Sequence, residues 1–155
     1  MAVALRGFRK VSQPYPDIGR SLVVLHVDDD PMNLRVVEEI LSAFGHKSVR
    51  AASGQEALDR LAAQAFDVVL MDIHMPGMSG VEAVQRLRAL PAPACATPVI
   101  ALTADVVSRR PDDYRVLGFQ DFAAKPILVS GLLQAIKTAV GPPPATNVTP
   151  IRRVG

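Results

Sequence analysis

At 155 residues the chain is sized for one domain with a substantial core. Nearly half of its residues are apolar and its formal net charge is only +2, which places it among globular proteins and argues against bulk binding to nucleic acid or to a membrane surface. The single cysteine, Cys95, has no partner for an internal disulfide and no second thiol for a zinc site, so it reads as a free thiol, in keeping with a reducing cytoplasm.

Residues 1–20 carry no clear period and contain the breaker cluster "QPYPDIG"; they read as an N-terminal arm. They hold no apolar stretch of signal-peptide length, and no segment approaches the ~20 apolar residues of a membrane helix. The run "LVVLHV" (22–27) is continuous and β-branched, as in a strand buried on both faces. Asp30 then fits a helix N-cap with Pro31 in the first turn. Leu34, Val37, Ile40, Leu41 and Phe44 recur at helical spacing until Gly45 stops the helix. A short strand is expected at 48–51. Ser53 with Glu56 predicts a capping box for a helix bearing Ala57, Leu58 and Leu61.

"FDVVLMD" (66–72) reads as another buried strand, with Asp67 a solvated turn residue at its start. Ser79 with Glu82 predicts a second capping box, and Val81, Val84 and Leu87 form one apolar helix face. "PVIALT" (98–103) is the fourth strand. Pro111, Asp112 and Asp113 form the first turn of a short helix, where acids suit the positive end of the dipole. "FAAK" (122–125) is a last strand, and a final helix over 130–140 turns Leu132, Leu133 and Ile136 inward. The tail from Gly141, "GPPPATNVTPIRRVG", is proline-rich and reads as extended. Strand and helix thus alternate five times, which predicts an α/β fold with a parallel sheet covered on both faces over residues 21–140.

In such sheets, sites form at the carboxyl ends of strands. Strand one ends at Asp28 and Asp29, strand three at Asp72, strand four at Thr103 and strand five at Lys125. Three carboxylates converging there would repel one another unless a cation lies among them. Hard oxygen donors suit Mg²⁺, which keeps several waters and often shares a phosphate. Carboxylates, a divalent cation, a hydroxyl and an ammonium make a set suited to phosphoryl transfer, and a carboxylate nucleophile would give an aspartyl phosphate.

At these positions the chain resembles the receiver domains of two-component response regulators, over about 120 residues. The resemblance is carried by "VDDD" (27–30), "VVLMDIHMPGMSG" (68–80), "PVIALTA" (98–104) and "GFQDFAAKP" (118–126), in this order. It implies a flavodoxin-like, doubly wound (βα)5 fold with strand order 2-1-3-4-5. It implies that Asp72 is the phosphoacceptor for a phosphohistidine donor, a histidine kinase or a histidine phosphotransfer protein. Asp28, Asp29, Asp72 and the backbone carbonyl of His74 would hold Mg²⁺. Thr103 would bond the phosphoryl group and shift on activation, with Ala104 small enough to admit it. Lys125 would pair with the phosphoryl group, with a cis Lys125–Pro126 bond.

Departures from the pattern are informative. The aromatic switch position holds Phe122, which has no hydroxyl to report on Thr103. His74 and Asp105 flank the acceptor. Leu128 stands where a capping Ser or Asp would be usual, so the last helix is expected to start near Ser130. Pro111 is expected to delay the fourth helix and lengthen the loop through Arg109 and Arg110, on a surface that receivers use for partners.

About 15 residues follow Val140, too few for a DNA-binding or enzymatic output domain, so the expectation is a stand-alone, cytoplasmic receiver with an unknown downstream protein target. Two other readings are weighed beside it. One is an aspartyl-phosphate phosphatase, with Asp30 as second acid. The other is a module binding an anionic ligand, such as a cyclic dinucleotide, through the pairs Arg109–Arg110 and Arg152–Arg153.

Overall fold

The computed structural model describes residues 15–105 and 107–141. Most of the expected arm and nearly all of the expected tail, Arg152 and Arg153 included, lie outside the described residues. The elements alternate as expected. They are β1 (Val23–Val27), α1 (Pro31–Ala43), β2 (Lys47–Ala51), α2 (Gly54–Ala63), β3 (Val68–Asp72), α3 (Gly80–Arg88), β4 (Val99–Thr103), α4 (Pro111–Leu117), β5 (Asp121–Ala124) and α5 (Val129–Val140). A single 3₁₀ turn, Ala94–Ala96, precedes β4. The strands form one parallel sheet in the order β2-β1-β3-β4-β5.

Side chains alternate strictly between the faces of this sheet. Leu25, Val27, Val69, Met71, Val99 and Ala101 face one way and pack under α2, α3 and α4. Val24, Val68, Leu70, Ile100 and Leu102 face the other way, under α1 and α5. Every one of these strand residues is fully buried. Each large aliphatic side chain so buried contributes roughly 1.5–3 kcal/mol. The second face also takes in Ile18 and Leu22, with Tyr15 set edge-on against Phe44 at 5.4 Å. The end of the expected arm is therefore packed onto the domain.

Most local signals act as their chemistry predicts. The Asp30 carboxylate accepts from the Met32 N–H (2.9 Å) and starts α1, and Gly45 takes the left-handed φ of +86° that closes it. Ser53 and Ser79 accept from the N–H groups of Glu56 and Glu82. The return halves of the two capping boxes differ from expectation. Glu56 reaches one residue further back, to the Ala52 N–H (2.9 Å), and Glu82 turns instead to Arg86, one helical turn on. Helix α4 does begin at Pro111, where Asp113 accepts from the Arg110 N–H (2.8 Å). Helix α5 begins at Val129 rather than Ser130, with Leu128 at its N-cap and no side-chain cap bond. Asp67 is no solvated turn residue. It is half-buried, its carboxylate accepts from the Val23 N–H and its own N–H donates to the Val23 carbonyl (both 2.8 Å). It thereby fastens β3 to β1 at the amino edge.

One tie spans the far side of the fold. Arg88, at the end of α3, donates from Nε and Nη2 to the Gly118 carbonyl (3.0 and 2.6 Å). Its Nη1 donates to the carbonyls of Cys95 (2.9 Å) and Thr97 (2.6 Å). One guanidinium fork thus joins α3, the 3₁₀ turn beside Cys95 and the end of α4. Replacing Arg88 by Met keeps the aliphatic stem and leaves these carbonyls without their charged donor. We expect the variant to lose roughly 1.5–3 kcal/mol in urea denaturation; an unchanged midpoint with an unchanged slope would show that the tie carries no stability.

Candidate functional site

The chain runs from β1 to β2 on one side and reaches β3 on the other, so a crevice opens between β1 and β3 at the carboxyl edge. Asp28 follows β1 directly and Asp72 is the last residue of β3. The neighbouring pair Val27–Met71 sets them level with each other. Backbone pairing continues past the strand ends: the Asp28 N–H donates to the Ala51 carbonyl (3.0 Å) and the Lys125 N–H to the Thr103 carbonyl (2.8 Å). Strand β5 itself ends at Ala124, one residue before the expected end. Pro126, the residue after Lys125, has no N–H with which to carry the ladder on. The Lys125–Pro126 peptide is cis, as the resemblance implies.

Asp28, Asp29 and Asp72 each offer a carboxylate oxygen within 4.8 Å of the others, with Asp28 and Asp72 buried and Asp29 exposed. The Lys125 ammonium lies 3.3 Å from Asp28 Oδ2 and 3.1 Å from Asp72 Oδ1. Three carboxylates against one ammonium leave two formal negative charges at an edge open through Asp29. That donor set fits a hard divalent cation, and oxygen ligands of this kind suit Mg²⁺. Burial pushes the Asp72 carboxyl above the usual range. The Lys125 hydrogen bond opposes this, and the Asp28 charge adds to it. Burial alone would lower Lys125, but its bonds to Asp72 and Asp28 outweigh that and raise it, so it stays an ammonium.

Asp28 is held from several sides. Its Oδ1 accepts from the Asp30 N–H (2.9 Å), and its Oδ2 accepts from Asn33 Nδ2 (3.1 Å). His26 lies beneath it, with Nε2 4.0 Å from Asp28 Oδ2. Asp72 accepts from the His74 N–H (3.3 Å), and the His74 side chain itself is exposed. Gly80 is the close-approach residue of the site: a Cβ there would sit 2.2 Å from the Asp72 carbonyl oxygen. Its N–H donates to the Ile73 carbonyl (2.9 Å), which packs the start of α3 against the backbone that carries Asp72. No side chain larger than hydrogen fits without displacing Asp72.

Thr103 is buried at the end of β4, and Ala104 after it is exposed at the mouth of the site. The Thr103 hydroxyl donates to the Asp105 carbonyl (3.3 Å) and accepts from the Asp105 N–H (3.0 Å). Phe122 is half-buried and stacks on Tyr114 of α4, with ring centroids 5.0 Å apart. The structure therefore brings Asp28, Asp29, Asp72, Thr103 and Lys125 to one edge. Arg109 and Arg110 sit at the start of α4 instead, the Arg109 guanidinium 5.9 Å over the Tyr114 ring. Asp30 is spent on the α1 cap, which removes the second acid that a phosphatase reading needs.

Sequence reasoning passed over Asn33, His26, Gly80 and Tyr114. Two of them had a readable signal. His26 shares a strand face with Asp28 by the period of two. Asn33 sits in the first turn of the helix capped beside the acids. The contacts of Gly80 and Tyr114 are tertiary and left no local trace.

A doubly wound parallel sheet with an acidic, lysine-bridged site at its switch point defines the class of protein. The family model for the response regulator receiver domain matches residues 24–137, and the chain belongs to that family. Among its relatives is the sensory/regulatory protein RpfC of Xanthomonas campestris pv. campestris (strain 8004), 35% identical over 135 residues that cover 83% of this chain and 19% of RpfC. The sensor protein GacS of Pseudomonas syringae pv. syringae is 36% identical over 123 residues, covering 78% of this chain and 14% of GacS. The chain thus spans less than a fifth of the length of these curated relatives. Similar solved structures include the chemotaxis protein CheY4 of Vibrio cholerae (TM-score 0.71, 28% identity, 77% of this chain and 99% of that one). Another is the receiver domain of the sensor histidine kinase PA1611 of Pseudomonas aeruginosa PAO1 (TM-score 0.70, 28% identity, 78% and 98%), which was solved with a magnesium ion coordinated in its active site cleft. Among the described residues of this chain, no helix is long and apolar enough to cross a membrane.

Burial lowers the His26 pKa to about 4, with the Asp28 charge pulling the other way. Folding therefore keeps His26 neutral where the unfolded chain would protonate it near pH 6.5. This contribution to stability is complete above pH 6.5 and is lost as the pH falls toward 4, by up to about 3 kcal/mol. We expect denaturation titrations to show that slope, and His26→Gln to flatten it. His46, also lowered by burial, remains as a weaker source of the same sign.

Proposed function

We propose that this domain, residues 21–140 with an N-terminal arm and a proline-rich tail, accepts a phosphoryl group on Asp72 from a phosphohistidine and signals by docking or by passing the group on. The observation that carries this reading is the Lys125 ammonium bridging Asp28 and Asp72 within the three-carboxylate cluster. An Asp72 oxygen attacks phosphorus, the phosphorus–nitrogen bond of the donor breaks, and the donor imidazole leaves with the bonding pair. In this reading Lys125 would follow the new phosphoryl oxygens, and the Thr103 hydroxyl, at the adjoining strand end, would turn to donate to one of them. Asp28, Asp29, Asp72 and the His74 carbonyl would hold Mg²⁺, which supplies the neutralisation of charge on the equatorial oxygens.

The domain is then a phosphoacceptor and not a turnover enzyme. Its partners are a histidine kinase or histidine phosphotransfer protein on the donor side and a protein target on the output side, in the cytoplasm. The long sensor proteins among its relatives favour a histidine-based donor. Docking or relay follows from the same aspartyl phosphate whether the domain stands alone or works within a longer chain.

Labelling with a small phosphodonor and Mg²⁺ tests this directly. We expect one base-labile phosphoryl group per wild-type chain, none on Asp72→Asn, and none when a chelator removes the metal. Lys125→Ala should still label but transmit the change poorly. Undiminished labelling of Asp72→Asn, or repeated turnover of a phosphomonoester, would refute the assignment.

A further inference from the structure

Phe122 offers no hydroxyl to Thr103, yet a hydroxyl does reach the place where Thr103 is tied. Tyr114, buried on α4, donates from its Oη to the Asp105 carbonyl (3.4 Å), the same carbonyl that accepts from Thr103 Oγ1 (3.3 Å). Its ring is held on three sides: stacked on Phe122 (5.0 Å), edge-on to Phe119 (6.0 Å) and beneath the Arg109 guanidinium (5.9 Å). We propose that Tyr114 is a positioning residue for Thr103, and that by sharing the Asp105 carbonyl it lowers the cost of turning the Thr103 hydroxyl toward a phosphoryl group.

The reasoning follows one acceptor. In the resting arrangement the Asp105 carbonyl has two hydroxyl donors. When Thr103 turns to a phosphoryl oxygen on Asp72, the carbonyl loses one donor and keeps the other. Without the Tyr114 hydroxyl, the same turn would leave the carbonyl of this exposed residue with no donor from the protein and would release the loop from α4, a loss charged only to the activated state. The Asp105 N–H, which donates to Thr103 Oγ1, and the Asp105 carboxylate, which accepts from the N–H groups of Val107 and Ser108 (3.1 and 3.0 Å), tie the rest of this loop to the same event. A turn of Thr103 is therefore felt directly at Val107, 89% exposed, and through Tyr114 along α4 toward Val116, 85% exposed. Tyr114 takes over, from a different element, the reporting that Phe122 cannot perform. The resting-state half of this inference needs only the carbonyl; the switching half rests on Asp72 being the phosphoacceptor.

Two measurements separate these halves. The first needs no phosphoryl group: denaturation of wild type, Thr103→Val, Tyr114→Phe and the double variant. Tyr114→Phe keeps the ring and its packing, so it removes the hydroxyl alone. Either hydroxyl suffices for the carbonyl, so the double variant should unfold more readily than the product of the single effects, by about fivefold. Simple multiplication of the two effects overturns the sharing. The second follows backbone amides 103–110 by NMR with Mg²⁺ and fluoroberyllate as the phosphoryl mimic. Tyr114→Phe should lower the ratio of activated to resting protein by about three- to tenfold, the worth of one hydrogen bond, at unchanged labelling of Asp72. A ratio equal to wild type overturns the positioning role. A wild-type protein that ignores fluoroberyllate overturns the phosphoacceptor reading and the switching role together, while the first measurement still judges the shared carbonyl.

Discussion

Three carboxylates share the carboxyl edge of the sheet, and one ammonium lies between two of them. Two like charges less than 5 Å apart repel by roughly 3–4 kcal/mol at the effective dielectric of a protein surface. Asp28 and Asp72 are both buried, so water relieves little of this. The Lys125 bridge, the Asn33 amide and the N–H groups of Asp30 and His74 offset it for the protein alone. They do not neutralise it. A surplus of negative charge is left at an opening, which is the condition under which a divalent cation and a phosphoryl group bind together better than either does alone.

The fold is arranged so that this repulsion cannot spread the site apart. The carboxylates stand on adjacent central strands, each strand buried on both faces. Backbone bonds continue beyond the strand ends at Asp28 and Lys125, so the charged residues are fixed by the ladder itself. Gly80 lets α3 close directly over the Asp72 carbonyl, and Asp67 ties β1 to β3 at the opposite edge. The apolar clusters supply the stability, and the edge spends a little of it on an electrostatic arrangement that has function as its only return.

The parts of the design legible in the sequence are those encoded locally. Apolar β-branched runs gave strands, Ser and Asp caps gave helix starts, and polar residues at strand ends gave the site. Five of the site's side chains could be named because a strand must end where its pattern ends. What sequence could not convey depends on neighbours remote in the chain. Asp67 had the look of a turn residue, because the Val23 N–H that it accepts from is 44 positions away. The second half of each capping box went elsewhere because Glu82 had Arg86 within one helical turn and Glu56 could reach Ala52. Lys125 fell one residue beyond its strand, since the cut is made by hydrogen bonding and Pro126 ends the ladder. Tyr114 was invisible for the same reason: its hydroxyl matters only because α4 sets it over a carbonyl in the preceding loop.

That last case bears on how an aromatic switch position tolerates change. A phenylalanine at position 122 looks, in sequence, like the loss of a coupling group. In three dimensions the ring is retained as a platform for Tyr114, and the polar contact is made from α4. A hydroxyl on α4 has one advantage over a hydroxyl on β5. It belongs to the helix itself, so the proposed path from the acidic site to the exposed surface is one hydrogen-bonded residue, Asp105, instead of a ring that must first rotate. In the switch we propose, the charge surplus draws in the cation and the phosphoryl group, and the shared carbonyl fixes where their arrival is felt.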